Sequence, residues 1–134
     1  MLAVSVSDPG ICSHDRVLSR ITSRFGWRIH PILRTRRFHD GVDIAAGAGT
    51  TIKASDDDRV IFAGWKGAYG RAVVIDHGSG WSTLYGHCSA LYVSTGQTVS
   101  RGQRIAAVGS TGWSTGPHLH WTVYRNGRHV NPLG

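Results

Sequence analysis

The chain has 134 residues, the length of a single domain, and 40% of them are hydrophobic, which suits a globular protein with a core. No run of about 18 apolar residues occurs, so we expect no membrane-spanning helix. The formal net charge of +7 favours an anionic partner, such as nucleic acid, acidic lipid or an anionic cell-wall polymer.

The beginning of the chain carries little pattern. We expect residues 1–20 to form an N-terminal extension and residues 21–134 to form the functional domain. Residues 15–21 could form a short helical turn with Asp15 near its start. The N-terminus lacks a basic start followed by a long apolar stretch, so no clear signal peptide is expected. The chain could be one domain of a larger or phage-encoded protein.

From about residue 50, short segments rich in Val, Ile, Thr and aromatic residues alternate with glycine-containing turns. The sequence predicts strands at residues 51–55, 59–64, 71–77, 81–87, 97–100, 104–109 and 118–125. Residues 77–80 and 125–128 are typical of hairpin turns. Because the connections are too short for crossover helices, we predict a mostly β fold of antiparallel sheets with few or no helices.

The segment FHDGVDIAA, residues 38–46, holds His39 and Asp43 four positions apart. In a straight strand these residues would lie about 13 Å apart, too far for one zinc ion with bonds of about 2.0–2.2 Å. Gly41 would permit a sharp bend that brings both side chains to one point. Asp40 could serve in place of Asp43. The alternative without a metal is a turn held by Asp40 and Gly41, with Asp43 as a capping carboxylate.

The segment TLYGHCS, residues 83–89, places His87 near a strand end, on the face predicted for Tyr85. Cys88 would point to the opposite face, so we do not expect a Cys/His nucleophile and interpret Cys88 as a small buried side chain. One Cys12–Cys88 bridge is all that two cysteines allow, which excludes a disulfide scaffold and a four-cysteine zinc site.

The segment GPHLHWTV, residues 116–123, places His118 and His120 on one polar face of a strand, while the residues between and after them form an apolar face. We expect the polar face to meet solvent or a groove. The two histidines would lie about 7 Å apart, so a metal ligated by one would leave the other beside its open position. Together the three segments supply four histidines and an aspartate, and two histidines with a carboxylate form a typical catalytic zinc set.

Four segments in this order resemble the motifs of the lysostaphin/LytM-type peptidoglycan zinc metalloendopeptidases: SRFGWRIHP (23–31), FHDGVDIAA (38–46), LYGHCS (84–89) and STGWSTGPHLHWTV (110–123). The resemblance runs from about residue 21 to residue 132. It implies a LytM-like fold of the duplicated-hybrid-motif type, a large antiparallel sheet whose groove is walled by long loops. It also implies one zinc ion per chain, held by His39, Asp43 and His120, with His87 and His118 as the catalytic residues.

The same resemblance implies an endopeptidase that cleaves peptide stems or cross-bridges of bacterial peptidoglycan. Such an enzyme would work in the periplasm, in the cell wall or outside the cell, and we expect a monomer. The positive charge fits an anionic cell-wall polymer as a further partner. Trp65, Trp81, Trp113 and Tyr85 could line the groove, or each could have a core or surface role instead. The chain departs from the family at the aspartates of residues 56–58 and at Cys88, which are not site positions.

Two other functions would explain part of the sequence. A non-catalytic LytM-like domain that binds the cell wall or regulates another hydrolase would be expected to lose site positions, whereas all five are present. A nucleic-acid-binding β domain is suggested by the basic and aromatic residues at 24–38. That alternative leaves the histidines and the aspartate unexplained, so we expect no nucleic-acid partner.

Overall fold

The computed structural model describes residues 5–7, 21–23, 25–29, 36–112, 114 and 116–131, but not the side chains of residues 5–7, 22–23, 27–29 and 36–39. Thirteen strands lie in the described part of the chain. They are β1 Ser5–Ser7, β2 Ile21–Ser23, β3 Gly26–Ile29, β4 Arg36–His39, β5 Val42–Ala45, β6 Thr51–Lys53, β7 Asp58–Trp65, β8 Arg71–Gly78, β9 Trp81–Leu91, β10 Thr98–Val99, β11 Arg104–Val108, β12 His118–Arg125 and β13 Arg128–Val130.

Eleven of these strands form one sheet, whose main path runs β1-β6-β11-β9-β12-β5-β2. Strands β7, β8, β10 and β13 join it beside this path, and β3 pairs with β4 in a separate small sheet. Every strand pair is antiparallel. The only helical element in the described residues is the 3-10 turn Gly67–Tyr69. The predicted mostly β, antiparallel fold is therefore confirmed.

The seven strands predicted after residue 50 are all present, with ends that shift by a few residues. Both hairpin turns are present as well: Ser79 and Gly80 have positive φ in the β8–β9 turn, as do Asn126 and Gly127 in the β12–β13 turn. Ile21 begins β2, so the helical turn predicted for residues 15–21 is wrong at that position, and the rest of it lies outside the described residues. No described helix has the length and apolar character needed to cross a bilayer.

The core lies on one face of β12 and its neighbours. Leu119, Trp121 and Val123 are buried there, as their alternation predicts, and they share a cluster with Val42 and Ile44 of β5. Cys88 is also buried and is not in a disulfide, which confirms its interpretation as a small core side chain. Burial raises the pKa of its thiol to about 12, so Cys88 stays protonated.

The opposite face of β12, expected to meet solvent or a groove, is largely covered at His120 and Thr122. His120 is 4% exposed and Thr122 is fully buried. Tyr69 covers this face, since its ring centroid lies 5.2 Å from that of His120 and its Cβ is packed against Gly86 of β9. Strand alternation predicts which residues share a face, but the chain segment that covers that face comes from a distant part of the sequence.

Gly41 lies where the chain passes from the small sheet to the large one. Strand β4 ends at His39, opposite Gly26, and β5 begins at Val42, opposite Trp121. Gly41 does not have a positive φ, so it is not needed for an unusual backbone conformation. It is needed for space, because an added Cβ would overlap the carbonyl oxygen of Trp121 and lie 2.7 Å from Thr122 Oγ1.

We therefore expect Gly41→Ala to destabilise the protein. Forcing a methyl group against the backbone of β12 costs about 1–3 kcal/mol, which lowers Tm by about 4–12 °C for a domain of this size. Thermal unfolding followed by circular dichroism measures this shift. Gly47→Ala is the matched control, since the nearest atom to its added Cβ is 3.9 Å away. Equal Tm values for the two variants would contradict the packing argument.

Candidate metal centre

Four predicted site residues meet where β5, β9 and β12 lie side by side. Asp43 of β5 is opposite His120 of β12, and His120 is opposite Gly86, the residue before His87. Asp43 Oδ1 lies 3.0 Å from His120 Nδ1 and 3.5 Å from His118 Nε2. The ring centroid of His87 lies 4.7 Å from that of His118 and 5.9 Å from that of His120. Residues separated by up to 77 positions thus form one cluster.

His39, the fifth predicted residue, is the last residue of β4. Its side chain lies outside the described residues, so its assignment as a ligand stays a prediction. Among the side chains that are described, no three His, Cys, Asp or Glu residues are arranged so that they could hold a metal ion. Whether zinc fits this site is therefore judged from the distance between Asp43 and His120 and from their ligand chemistry.

Zinc fits this pair by distance and by chemistry. Two ligands on a tetrahedral zinc ion, with bonds of about 2.0–2.1 Å, lie about 3.3 Å apart. Asp43 Oδ1 and His120 Nδ1 are 3.0 Å apart, so the proton on Nδ1 stands where a metal ion would bind. A carboxylate oxygen and an imidazole nitrogen are both common zinc ligands.

The backbone conformation of His87 turns its side chain into this cluster. Strict alternation would place His87 on the face of Tyr85, but His87 has φ of 61°, which is unusual for a residue with a side chain. Tyr85 instead points into the core, where its hydroxyl hydrogen-bonds with Ser55 and Thr83. The prediction that Tyr85 shares a face with His87 is therefore wrong, and of the two roles open to Tyr85 the structure has the core role.

The other aromatic residues predicted to line the groove differ in their surroundings. Trp65 is 61% exposed. Trp81 packs partly against the core, with the guanidinium carbon of Arg125 4.4 Å from its ring centroid. Trp113 lies outside the described residues. None of these observations places an aromatic side chain against the histidine cluster, where the structure has Tyr69 instead.

Two loops stand beside the cluster and touch each other. Tyr69 belongs to the loop of residues 66–70, and Thr111 belongs to the loop after β11, of which residues 109–112, 114 and 116–117 are described. Gly70 and Gly112 pack so closely across the contact that a Cβ on either would overlap backbone atoms of the other loop. This close contact fixes the two loops against each other beside the sheet.

His87 is held in its neutral form. Its Nδ1–H donates to the carbonyl oxygen of Thr111 over 2.6 Å, which leaves the lone pair on Nε2. Burial disfavours the imidazolium and outweighs the bond to Thr111, and nearby histidines add to the effect, so the pKa of His87 falls to about 4. A neutral imidazole with a lone pair is suited to accept a proton.

His118 has the opposite tendency. Its Nδ1–H donates to the carbonyl oxygen of Gly116 over 2.9 Å, and its Nε2 faces Asp43. Burial alone would lower the pKa of His118, but the hydrogen bond and the charge of Asp43 outweigh burial and raise the pKa above its usual value. The two histidines next to the Asp43–His120 pair therefore favour opposite protonation states.

His120 lies between two carboxylates. Its Nδ1 faces Asp43, and its Nε2 is 2.9 Å from Asp40 Oδ1 and 2.9 Å from Thr122 Oγ1. Burial opposes a charged His120, but the two carboxylates outweigh it and raise the pKa to about 9. Burial likewise opposes a charged Asp40, yet His120 and Tyr69 hold the pKa of Asp40 at about 2.

Three residues on the outer side of His120 escaped sequence reasoning. Asp40 was considered only as a replacement for Asp43, whereas it contacts the other ring nitrogen of His120. Tyr69 donates a hydrogen bond to Asp40 Oδ2, and His129 Nε2 lies 3.3 Å from the same oxygen. The position of Asp40 next to His39 was a visible signal, but no spacing pattern connects Tyr69 or His129 with this site.

Zinc binding is expected to release a proton from His120. Because the raised pKa keeps its imidazolium present up to about pH 9, zinc must displace the Nδ1 proton at any lower pH. The apparent zinc affinity should therefore rise about tenfold per pH unit between pH 7 and 9 from this group alone. Calorimetric titration in buffers of different ionisation enthalpy counts the protons. Binding without proton release at pH 7.5 would contradict the assignment.

Comparisons with known proteins found a matching family model and similar proteins. Residues 37–132 match the family model described as Peptidase family M23. The DD-carboxypeptidase/endopeptidase Mpg of Neisseria meningitidis serogroup B is 52% identical over 117 residues, covering 87% of this chain and 27% of that protein. The murein hydrolase activator EnvC of Escherichia coli is 42% identical over 109 residues, covering 81% and 25%. The chain spans about a quarter of the length of these relatives.

Solved structures have the same fold. A zinc containing peptidase from Vibrio cholerae superimposes with a TM-score of 0.79 at 38% identity, covering 85% of this chain and 36% of that chain. The catalytic domain of lysostaphin from Staphylococcus simulans superimposes with a TM-score of 0.78 at 28% identity, covering 90% and 95%. The antiparallel architecture predicted from the sequence is thus shared with both.

Proposed function

The chain belongs to peptidase family M23, and from this membership we propose that it is a zinc-dependent endopeptidase that hydrolyses peptide stems or cross-bridges of bacterial peptidoglycan. The observation that carries the proposal is the Asp43–His120 donor pair with His87 and His118 beside it. Relatives named for endopeptidase activity on peptidoglycan, such as the DD-endopeptidase ShyA of Vibrio cholerae, support the substrate class.

In the proposed site one zinc ion is held by His39, Asp43 and His120. Bound there, zinc would supply Lewis-acid polarisation of the scissile carbonyl and of the attacking water. The buried position of His120 helps, because charges act more strongly where water is excluded.

The proposed proton transfers follow from the two remaining histidines. His87 Nε2 accepts the proton that the attacking water loses, since its Nδ1–H is anchored on Thr111 and its ring is neutral. His118 donates the proton that the leaving amine gains, since Asp43 favours its protonated form. Before that transfer, His118 Nε2–H can stabilise the developing oxyanion.

The proposal also covers the domain bounds, the oligomeric state and the place of action. Residues 21–134 form the catalytic domain, and residues 1–20 form the extension, of which β1 pairs with β6. The protein acts as a monomer on peptidoglycan in the periplasm, in the cell wall or outside the cell. Its net charge of +7 attracts it to anionic cell-wall polymers.

Digestion of purified peptidoglycans tests this function. The zinc-loaded protein is incubated with peptidoglycans of differing cross-bridge chemistry, and the fragments are identified by mass spectrometry. We expect new amino and carboxyl termini within the peptide part of the polymer. His87→Ala serves as the inactive control, and a substrate panel left uncleaved would reject the proposal.

The likeness to EnvC favours one second candidate, regulation of another hydrolase. A regulator would release no fragments alone but would increase the fragments released by an added peptidoglycan hydrolase. Measuring digestion with and without that hydrolase separates the two functions in one experiment.

A further inference from the structure

The outer side of the His120 ring has two neighbours of different chemistry. Asp40 Oδ1 and Thr122 Oγ1 both lie 2.9 Å from His120 Nε2. A carboxylate can only accept a hydrogen bond, whereas a hydroxyl can accept or donate one. With Thr122 alone, Nε2 could carry its proton or receive the hydroxyl proton. With Asp40 present, the hydrogen bond forms only if Nε2 carries a proton.

The location of that proton decides which nitrogen can bind a metal. A neutral imidazole has one N–H and one lone pair. If Nε2 keeps its proton when a metal displaces the proton on Nδ1, the Nδ1 lone pair would face the metal beside Asp43 Oδ1, which is 3.0 Å away. If Nδ1 carried the proton, the lone pair would point away from Asp43, toward Asp40 and Thr122.

We propose that Asp40 is a positioning residue that holds His120 in the Nε2–H tautomer, so that Nδ1 is the nitrogen offered to the metal. The inference rests on the proposed zinc site. Asp40 itself is not a ligand in this arrangement, because it faces the opposite ring nitrogen from the one that faces Asp43.

The surroundings of Asp40 hold its carboxylate in place. Tyr69 donates a hydrogen bond to Oδ2, and His129 Nε2 lies 3.3 Å from the same oxygen, so Oδ1 is left for His120. The Tyr69 ring also packs beside the His120 ring at 5.2 Å between centroids, which restricts ring rotation. A carboxylate that accepts from a zinc-bound histidine in this way typically changes metal affinity 10–100-fold when it is removed.

Asp40→Asn is the sharpest test, because the amide has the same shape but no charge and can either accept a hydrogen bond from Nε2–H or donate one to Nε2, so it no longer requires the proton on Nε2. We expect its zinc dissociation constant, measured by competition with a chelator, to be about 10–100-fold larger than that of the wild type. Asp40→Ala, which lacks the acceptor altogether, should weaken zinc binding in the same direction. Asp76→Asn is the matched control: Asp76 is exposed, and an amide oxygen can still accept from the Gly78 N–H.

A spectroscopic readout separates positioning from a general structural effect. In zinc-loaded, ¹⁵N-histidine-labelled protein, the Nε2 proton of His120 should give a downfield resonance that moves upfield in Asp40→Asn, where a neutral amide replaces the carboxylate acceptor. Thermal unfolding of the metal-free variants shows whether they fold. Wild-type zinc affinity in both Asp40 variants would overturn the inference about Asp40 and leave the proposed function standing. Failure of the wild type to bind zinc would overturn the proposed function and this inference with it.

Discussion

Alanine in place of His120 is expected to abolish stoichiometric zinc binding and to lower peptidoglycan cleavage by at least about 10³-fold. A catalytic metal supplies several kcal/mol of transition-state stabilisation, and each 1.36 kcal/mol corresponds to about tenfold in rate. His120 is nearly fully buried and faces Asp43 through Nδ1, so no solvent-exposed side chain replaces it easily. Elemental analysis of the purified variant measures the metal, and fragment release measures cleavage.

His77→Ala is the matched control for this change. His77 bonds to the carbonyl oxygen of Asp57 and to the hydroxyl of Thr83, away from the Asp43–His120 pair. The His77→Ala variant should therefore keep its zinc. Because His120→Ala leaves two carboxylates without their shared partner, its folding is checked by circular dichroism. One zinc per chain in folded His120→Ala would reject His120 as a ligand. His39→Ala should behave as His120→Ala does if the resemblance assigns it correctly.

Alanine in place of His87 should have a different effect: zinc stays bound while turnover falls by about 10²–10⁴-fold, the usual contribution of a general base. His87 lies beside the Asp43–His120 pair, and its Nδ1 is bonded to Thr111 rather than directed at the proposed metal ligands. His118→Ala should also keep its zinc and lose turnover. Loss of zinc from His118→Ala would mean that ligand and catalyst are exchanged within residues 118–120.

The pH profile of kcat/KM at saturating zinc distinguishes the two histidines. Because burial lowers the pKa of His87 to about 4, its base form persists until the pH falls toward that value. His118, as the proposed acid, loses its proton as the pH rises through its pKa, which Asp43 raises in the metal-free protein. His87→Ala should flatten the acid limb and His118→Ala the alkaline limb. The reverse assignment of limbs would exchange the proposed base and acid.

The sequence by itself determined seven of the thirteen described strands, two hairpin turns and the family. The period-two pattern of residues 118–125 predicts which side chains of β12 are apolar, since it depends only on local backbone geometry. Residues such as Asn126 and Gly127 predict a hairpin because few residues adopt positive φ. The ordered motifs also named five site residues, four of which the structure brings together, while their chemical roles stay predictions.

Only the tertiary structure decided which residues surround that cluster. Asp40 and His120 are 80 positions apart in the chain, so no local pattern relates them. His87 points into the site through a positive φ that breaks strand alternation, and alternation alone had therefore placed it with Tyr85. Tyr69 covers His120 because two loops pack against each other. Such contacts depend on the packing of distant segments, and the order of residues in one strand does not encode them.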